Sequence, residues 1–248
     1  MNFLAFDTST EVMSIAVGTT GEGPTGEGMA QQWLHTAAGG AQASSGLIAG
    51  VMDLLRQAGL ALTDLDAIAF GAGPGSFTGL RTACSVAQGL AFGANVPVLP
   101  IDTLLAVAEE ARHTAHAGVK ALRLTALLDA RMDEMYAATY DYVDGVWAEV
   151  EGSHLVRPEA FVAVHGVAGN VFAVYGERMG GLTGITALPT AAAMLRLAPT
   201  LMAAGKAVPA DQALPSYIRD KVAKTTAERM AEKAASLQAL PVPSGAAQ

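Results

Sequence analysis

Residues 71–79 form the segment most suited to chemistry, because they carry four glycines and a serine. The apolar run before them predicts a buried strand, so Ser76 stands where a helix would begin. Free backbone amides and the positive end of a helix dipole suit an anion such as phosphate. A Walker A loop would need a lysine here, and a dinucleotide-binding loop would need glycine at position 76. A tight turn with close helix–sheet packing explains the same glycines, so both interpretations stay open.

Asp7, Thr8 and Thr10 form a second candidate group, because they follow an apolar strand at residues 3–6. Acids at strand ends can position metal-bound phosphate in phosphoryl-transfer sites. A polar turn whose side chains cap the backbone explains the same residues, and general turn statistics favour that explanation.

Other residue types predict no catalytic or metal centre. His113 and His116 are three positions apart near a predicted helix end, where histidine is favoured electrostatically, and no third ligand lies nearby in sequence. The single Cys84 excludes an internal disulfide and any cysteine-based metal cluster. Neither Gly-x-Ser-x-Gly nor His-Glu-x-x-His occurs, which leaves the hydrolase class without a recognisable site.

Composition narrows the class of protein further. The 248 residues suffice for one large domain or two small ones, and 51% of them are hydrophobic. The net charge of −8 disfavours independent binding to nucleic acid, since phosphate neutralisation supplies most of that affinity. No basic leader and no apolar run of membrane-spanning length is found. We therefore expect a cytoplasmic protein that does not enter a membrane.

Apolar runs alternate with helical patterns, which predicts sheets covered by helices. From about residue 122 the opening order of strand, aspartate, turn and strand is repeated, with Asp129 in the place of Asp7. The repetition indicates two related lobes, although aspartate is common at strand ends. The predicted strands are residues 3–6, 12–17, 29–34, 67–70, 97–101, 122–128, 134–142 and 172–175, and the predicted helices are residues 44–58, 77–92, 103–112 and 190–204.

Five segments resemble the bacterial TsaB family, in sequence and in order. They are residues 4–10, 73–81, 87–91, 129–136 and 215–219. The resemblance covers residues 1 to about 222, and the glycine–proline–serine–phenylalanine segment is its most specific part.

The resemblance implies an α/β fold of the actin-like ATPase type, related to ribonuclease H, with two lobes that each hold a mixed sheet flanked by helices. It implies an N-terminal lobe at 1–102 and a C-terminal lobe at 103–222. The tail at 223–248 lies outside the resemblance, and its residue pattern predicts a partly helical or disordered segment. The resemblance also implies a non-catalytic dimerisation and activating subunit of the complex that forms threonylcarbamoyladenosine beside the tRNA anticodon. The implied partners are the TsaD transferase and the TsaE ATPase, with tRNA reached only through the complex and a homodimer formed by the chain alone.

The same resemblance bears on cofactors. TsaD-like proteins carry a His-x-x-x-His pair at the end of the first lobe, whereas residues 101–107 here contain no histidine. We expect no metal and no catalytic residue in this chain, and we expect ATP or ADP to be bound by the partners. Asp7, Thr8 and Thr10 remain the candidates for a nucleotide contact.

By analogy with the family, helices 44–58 and 77–92 should form the pairing surface, because they carry apolar or small residues at helical spacing. Packing in the core is the usual explanation of such a pattern, while an exposed stripe would indicate a partner. Two other functions are open: an actin-fold small-molecule kinase or ATPase, and a glycoprotease-like peptidase of the M22 type. The expected interface residues are Leu47, Val51, Leu54, Thr78, Arg81, Thr82 and Ser85.

Overall fold

The computed structural model describes residues 1–20, 29–40 and 43–219, and the predicted tail at 223–248 lies outside them. The strands are β1 (Asn2–Asp7), β2 (Val12–Thr20), β3 (Met29–Ala38), β4 (Ala67–Gly73), β5 (Val98–Asp102), β6 (Ala121–Arg131), β7 (Glu134–Val143), β8 (Val146–Val156), β9 (Gly166–Gly169) and β10 (Ile185–Thr186). The α-helices are α1 (Ala43–Ala58), α2 (Phe77–Ala94), α3 (Thr103–Ala115), α4 (Phe172–Tyr175) and α5 (Ala191–Ala203).

The first sheet has the strand order β3-β2-β1-β4-β5. A short turn makes β1 and β2 an antiparallel hairpin, whereas helical crossovers make β4 and β5 parallel to β1. Strands β1 and β4 are apolar on both faces, because helices cover both sides of the sheet. Helices α1 and α2 pack on one face, where Phe6 and Phe70 are fully buried, and α5 packs on the other, against Phe3.

The second sheet repeats this plan in the order β10-β9-β6-β7-β8. Strands β6, β7 and β8 form an antiparallel meander, and β9 and β10 run parallel to β6, as β4 and β5 do to β1. Helix α3 packs on one face through Leu104 and Val107, and α4 packs on the other through Tyr175. Two mixed sheets flanked by helices confirm the predicted fold class, and the repeated strand order accounts for the repeated sequence pattern.

Four elements differ from the prediction: α4, β8 and the short strands β9 and β10, neither of which is among the predicted strands. Residues 172–175 form α4 rather than a strand, because β9 already occupies the position beside β6 and Val171 and Tyr175 turn back to pack on the sheet. Strand β8 was not predicted, although Asp144 and Gly145 form the two-residue turn with positive φ that typically joins such strands.

Within the described ranges, no helix is both long enough and apolar enough to cross a membrane.

Candidate functional site

The loop before α2 lies directly against the turn that follows β1. The backbone amide of Ser76 donates a hydrogen bond of 2.8 Å to the carbonyl oxygen of Ser9. The hydroxyl of Thr8 donates a bond of 2.7 Å to the carbonyl oxygen of Gly79. Thr8 and Ser9 are both buried by this contact. The two segments that the sequence suggested for phosphate binding are therefore bound to each other.

Two glycines of the loop are required by this close approach. A Cβ atom on Gly75 would lie 2.6 Å from Cβ of Ser9, and one on Gly79 would lie 1.8 Å from the carbonyl oxygen of Thr8. Both distances are shorter than non-bonded atoms allow, so any larger residue would push the helix away from the strand end. These two contacts support the interpretation that the glycines allow close packing of the helix on the strand end.

Asp7 is fully buried beside this contact. Its Oδ1 accepts hydrogen bonds from the amide (2.9 Å) and the hydroxyl (2.7 Å) of Ser9. Its Oδ2 has no hydrogen-bond partner among the described residues and faces Gly71, where an added Cβ would lie 1.9 Å away. Burial raises the pKa of Asp7 to about 7, which the two bonds from Ser9 only partly offset.

The polar side chains of the Asp7–Thr10 turn form hydrogen bonds within the chain. Thr10 uses its hydroxyl within the turn, where it accepts a bond of 3.2 Å from the amide of Val12. Thr8, Ser9 and Ser76 use their groups in the contact with the loop. The carboxyl of Asp7 is enclosed, so it has no open side on which a bound metal could carry phosphate. Sequence reasoning named Asp7, Thr8 and Thr10 as candidates for a nucleotide contact, and the structure shows their side chains in contacts within the chain.

A chain segment at residues 213–217, called the strap below, packs along α2. The amide of Ser216 donates a bond of 2.7 Å to the carbonyl oxygen of Ala72. Gly73 has a φ of +129°, and a Cβ there would lie 2.3 Å from the carbonyl oxygen of Ser216. Cys84 and Gln88 both donate to the carbonyl oxygen of Ala213. Two of the segments that carry the family resemblance therefore meet in space.

At its end the strap completes an aromatic cluster on the surface. The guanidinium of Arg81 lies 3.8 Å from the ring centre of Phe77, and its Nε donates a bond of 3.0 Å to the hydroxyl of Tyr217. The two rings are 5.3 Å apart. Sequence reasoning missed Phe77 and Tyr217 as a pair, because 140 positions separate them in the chain.

Three of the predicted interface residues do not lie at the surface. Leu47, Val51 and Leu54 are at most 3% exposed and pack on the first sheet, so the prediction that they face a partner is wrong for their side chains. An apolar stripe on a helix must cover the nearest apolar sheet first. Thr78, Arg81 and Ser85 are exposed, and the partly buried Thr82 donates a bond of 3.0 Å to the carbonyl oxygen of Thr78.

Other apolar residues occupy the solvent side of the same two helices. Phe92 is 82% exposed, and a shallow groove beside it is lined by residues 61–63 and by Gly89, Leu90 and Gly93. Ile48 and Met52 are each about half exposed on α1. We call this surface the outer helix face, and it comprises Ile48, Met52, Thr78, Arg81, Ser85, Gly89, Phe92 and Gly93.

The histidine and aspartate candidates lie apart from these contacts. His113 is exposed in the last turn of α3, and His116 follows the helix and caps its end through a backbone bond. Among the described residues, no three His, Cys, Asp or Glu side chains are grouped as a metal site would require. Asp129 accepts a bond of 2.9 Å from the hydroxyl of Tyr175, whose pKa burial and this bond raise to about 12.

A buried polar network that the sequence did not predict joins the two sheets. Asp102 begins α3 and accepts bonds from the hydroxyls of Tyr140 (3.1 Å) and Ser153 (3.2 Å) in the second sheet. Burial raises the pKa of Asp102, and its hydrogen bonds oppose that shift. Acidic residues at a helix that is otherwise apolar could have indicated such a network. Their partners could not be identified from the sequence, because they lie far away in the chain.

Glu109 forms the centre of a second polar cluster between the sheets. It accepts bonds from Arg112, Arg196 and Trp147 at 2.8–3.0 Å and is almost fully buried. Burial alone would raise its pKa, but the bonds from Arg112 and Trp147 and the two arginine charges outweigh it and lower the pKa below the usual value.

Comparisons with known protein sequences find proteins of threonylcarbamoyladenosine formation in tRNA. The family model described as TsaD, tRNA N6-adenosine threonylcarbamoyltransferase, matches residues 30–242. The tRNA threonylcarbamoyladenosine biosynthesis protein TsaB of Escherichia coli is 33% identical over 90% of this chain and 96% of its own length. The protein of the same name from Haemophilus influenzae is 34% identical over 90% of this chain and 95% of its own.

Two solved structures match most of this chain in sequence and in fold. A Pseudomonas aeruginosa protein described as similar to the peptidase YeaZ is 36% identical, with a TM-score of 0.75 over 88% of this chain and 99% of its own. A structure described as YeaZ from the same organism has a TM-score of 0.74. These matches confirm the α/β fold with two mixed sheets flanked by helices. By its sequence and its fold, the chain belongs to the TsaB family.

Proposed function

We propose that this chain is a non-catalytic subunit in the biosynthesis of threonylcarbamoyladenosine in tRNA, and that it pairs with the TsaD transferase and activates it. The names of its relatives in two bacteria support the pathway. The match to the transferase family model supports a common origin of this chain and TsaD. Two proteins that share a fold can pair through equivalent surfaces.

One observation carries the non-catalytic part of the proposal. The turn after β1 and the loop before α2 use their hydrogen-bonding groups on each other, through Ser76 with Ser9 and Thr8 with Gly79. A protein that bound and turned over a nucleotide at this strand end would need such groups free. ATP or ADP is accordingly assigned to the partners, the transferase and the TsaE ATPase.

The outer helix face is the proposed pairing surface. Phe92 supplies a large apolar side chain at 82% exposure, and Gly89 and Gly93 leave room for a side chain or a helix from the partner. Large aromatic anchors beside close-packed positions contribute most of the binding energy in many interfaces. In isolation the chain would form a homodimer through the same face, and tRNA would bind through the complex because the chain itself has a net charge of −8.

Threonylcarbamoyl transfer to tRNA, reconstituted from TsaD and TsaE with and without this chain, tests the function. We expect transfer only when the chain is added, and no turnover by the chain alone. Equal transfer without it, or turnover by the purified chain, would contradict the proposal.

The pairing surface is tested by Phe92→Asp, with Val162→Asp as the matched control. Val162 is 77% exposed and lies outside the helices of the first lobe. Phe92→Asp should weaken binding to TsaD at least about tenfold, because a desolvated charge at an interface core costs well over 1 kcal/mol. Val162→Asp should bind as the unchanged chain does.

A further inference from the structure

Arg81 is the only charged residue among the 18 residues of α2. It is exposed on the outer helix face, between Thr78 and Ser85. Its guanidinium lies 3.8 Å from the ring centre of Phe77, and its Nε donates a bond of 3.0 Å to the hydroxyl of Tyr217. Two contacts, one from α2 and one from the strap, therefore hold the guanidinium in a defined orientation at the surface.

The rest of this guanidinium has no partner in the described part of the chain. Its Nη1 and Nη2 groups donate no hydrogen bond there, and no carboxylate there forms an ion pair with Arg81. Aromatic residues thus orient the side chain without neutralising its charge. Most other arginines of the described ranges differ, because they pair with an Asp or Glu of this chain. They are Arg56, Arg112, Arg123, Arg131, Arg178 and Arg196.

A protein bound to the outer helix face would remove water from Arg81. A charge that is buried in an interface without an acceptor strongly opposes binding, so the bound protein must present an acceptor to the guanidinium. The two Nη groups of an arginine match the two oxygens of a carboxylate, which can accept two parallel hydrogen bonds and neutralise the charge. Charge complementarity therefore favours an acidic side chain opposite Arg81.

A second copy of this chain does not offer that side chain. The residues of the outer helix face include no Asp or Glu, and Asp53, which follows Met52 on α1, is already bonded to Arg56 and Gln57. Two copies paired through this face would bring two Arg81 charges to the interface without an acid. The acceptor for Arg81 therefore belongs to a protein of different sequence.

We propose that Arg81 pairs with an aspartate or glutamate side chain of the TsaD transferase, and that Phe77 and Tyr217 are positioning residues for its guanidinium. This inference rests on the pairing with TsaD proposed above and adds the charged group that the partner recognises. A long side chain that is fixed before binding loses less conformational entropy in the complex. The charge contact would lie in the first half of α2, and the apolar contact of Phe92 near its end.

Titration calorimetry of the full chain with TsaD, repeated over a range of salt concentrations, tests the charge contact. At low salt, Arg81→Gln should raise the dissociation constant at least about tenfold, because the carboxylate of the partner loses its counter-charge. The same change should reduce the salt dependence of binding, since salt screens a charge contact only while both charges are present. Arg157→Gln is the matched control, because Arg157 is exposed outside α1 and α2 and the change in net charge is the same. This control should bind as the unchanged chain does.

A double-mutant cycle tests the positioning role of Tyr217. Tyr217→Phe keeps the ring and removes the hydroxyl that accepts the bond from Arg81. It should raise the dissociation constant about threefold in the unchanged chain and have no further effect in Arg81→Gln, because it acts through Arg81. Phe77→Leu, which removes the ring beneath the guanidinium, should show the same dependence. Equal effects in both backgrounds would refute the positioning role of these residues.

The result for Phe92→Asp separates this inference from the proposed function. If Arg81→Gln binds TsaD as tightly as the unchanged chain while Phe92→Asp binds more weakly, the charge contact is refuted and the pairing surface is retained. A loss of affinity in Arg81→Gln without any change in salt dependence would also refute the charge contact. An unchanged chain that does not bind TsaD would contradict the proposed function and this inference together.

Discussion

The hydroxyl of Thr8, after the end of β1, donates a hydrogen bond of 2.7 Å to the carbonyl oxygen of Gly79 in the first turn of α2. The helix approaches the strand end so closely that only a residue without a side chain fits at position 79. This contact makes the end of β1 and the first turn of α2 a packed junction. Its energetic importance can be measured with two glycines of the same helix.

Gly79→Ala should destabilise the fold by about 1–3 kcal/mol, because the new Cβ would lie 1.8 Å from the carbonyl oxygen of Thr8 and the helix must shift. Gly89→Ala is the control, since nothing lies within 4 Å of a Cβ there. That change should stabilise the helix by up to about 1 kcal/mol. Urea unfolding of both variants measures the difference. Equal stability of the two variants would show that the junction tolerates expansion.

Asp7→Asn should remove a pH dependence of stability. The pKa of Asp7 is raised from 3.8 to about 7 by burial, so between these values the folded chain keeps a proton that the unfolded chain has released. Stability from this group is full below about pH 4, falls as the pH rises to about 7, and is constant above that. The loss is on the order of 4 kcal/mol, at about 1.4 kcal/mol for each pH unit.

Unfolding free energies between pH 4 and pH 8 check this expectation. Asp7→Asn should flatten the slope and be more stable than the unchanged chain at pH 8, because an amide cannot ionise in the buried position. Asp211→Asn, at an exposed position, should keep the original slope. A slope that persists in Asp7→Asn would assign the pH dependence to another group.

The sequence was sufficient to predict those strands and helices that a local pattern of apolar and turn residues defines. The predicted strands 3–6 and 12–17 pair as an antiparallel hairpin, and the predicted helix 44–58 ends as expected at Ala58, before Gly59 with a φ of +69°. Short apolar runs were ambiguous: residues 166–169 form the strand and residues 172–175 the helix, because only the neighbouring strand β6 decides which run pairs.

The candidate site shows a different limit. Helical spacing identified the apolar stripe of α1 but could not distinguish a side that packs on a sheet from one that faces solvent. Leu47 and Val51 proved to be core residues, while their neighbours Ile48 and Met52 are about half exposed. Likewise, no local pattern could show that Ser9 and Ser76 satisfy each other, because the contact depends on how two distant segments pack.

Tyr217→Ala should release the strap from α2. The change removes the ring contact with Phe77 and the hydroxyl that accepts the bond from Arg81. Amide hydrogen exchange at Ser216, whose N–H is bonded to Ala72, should become faster by about fivefold, since opening the strap would cost roughly 1 kcal/mol less. Tyr217→Phe keeps the ring and should show a smaller effect. Unchanged exchange in Tyr217→Ala would mean that the bonds at Ala213 and Ser216 hold the strap alone.

Glu109→Gln should be among the most destabilising single changes in the protein. It leaves Arg112 and Arg196, both largely buried, without their shared carboxylate. Removing one member of a buried ion pair costs about 3–5 kcal/mol, whereas an exposed pair contributes about 0–1 kcal/mol. Asp141→Asn, which breaks the exposed pair with Arg123, is therefore the matched control. If urea unfolding gives the two variants similar stability, the network between the sheets does not hold the lobes together, and the apolar contacts of α3 and α5 must do so.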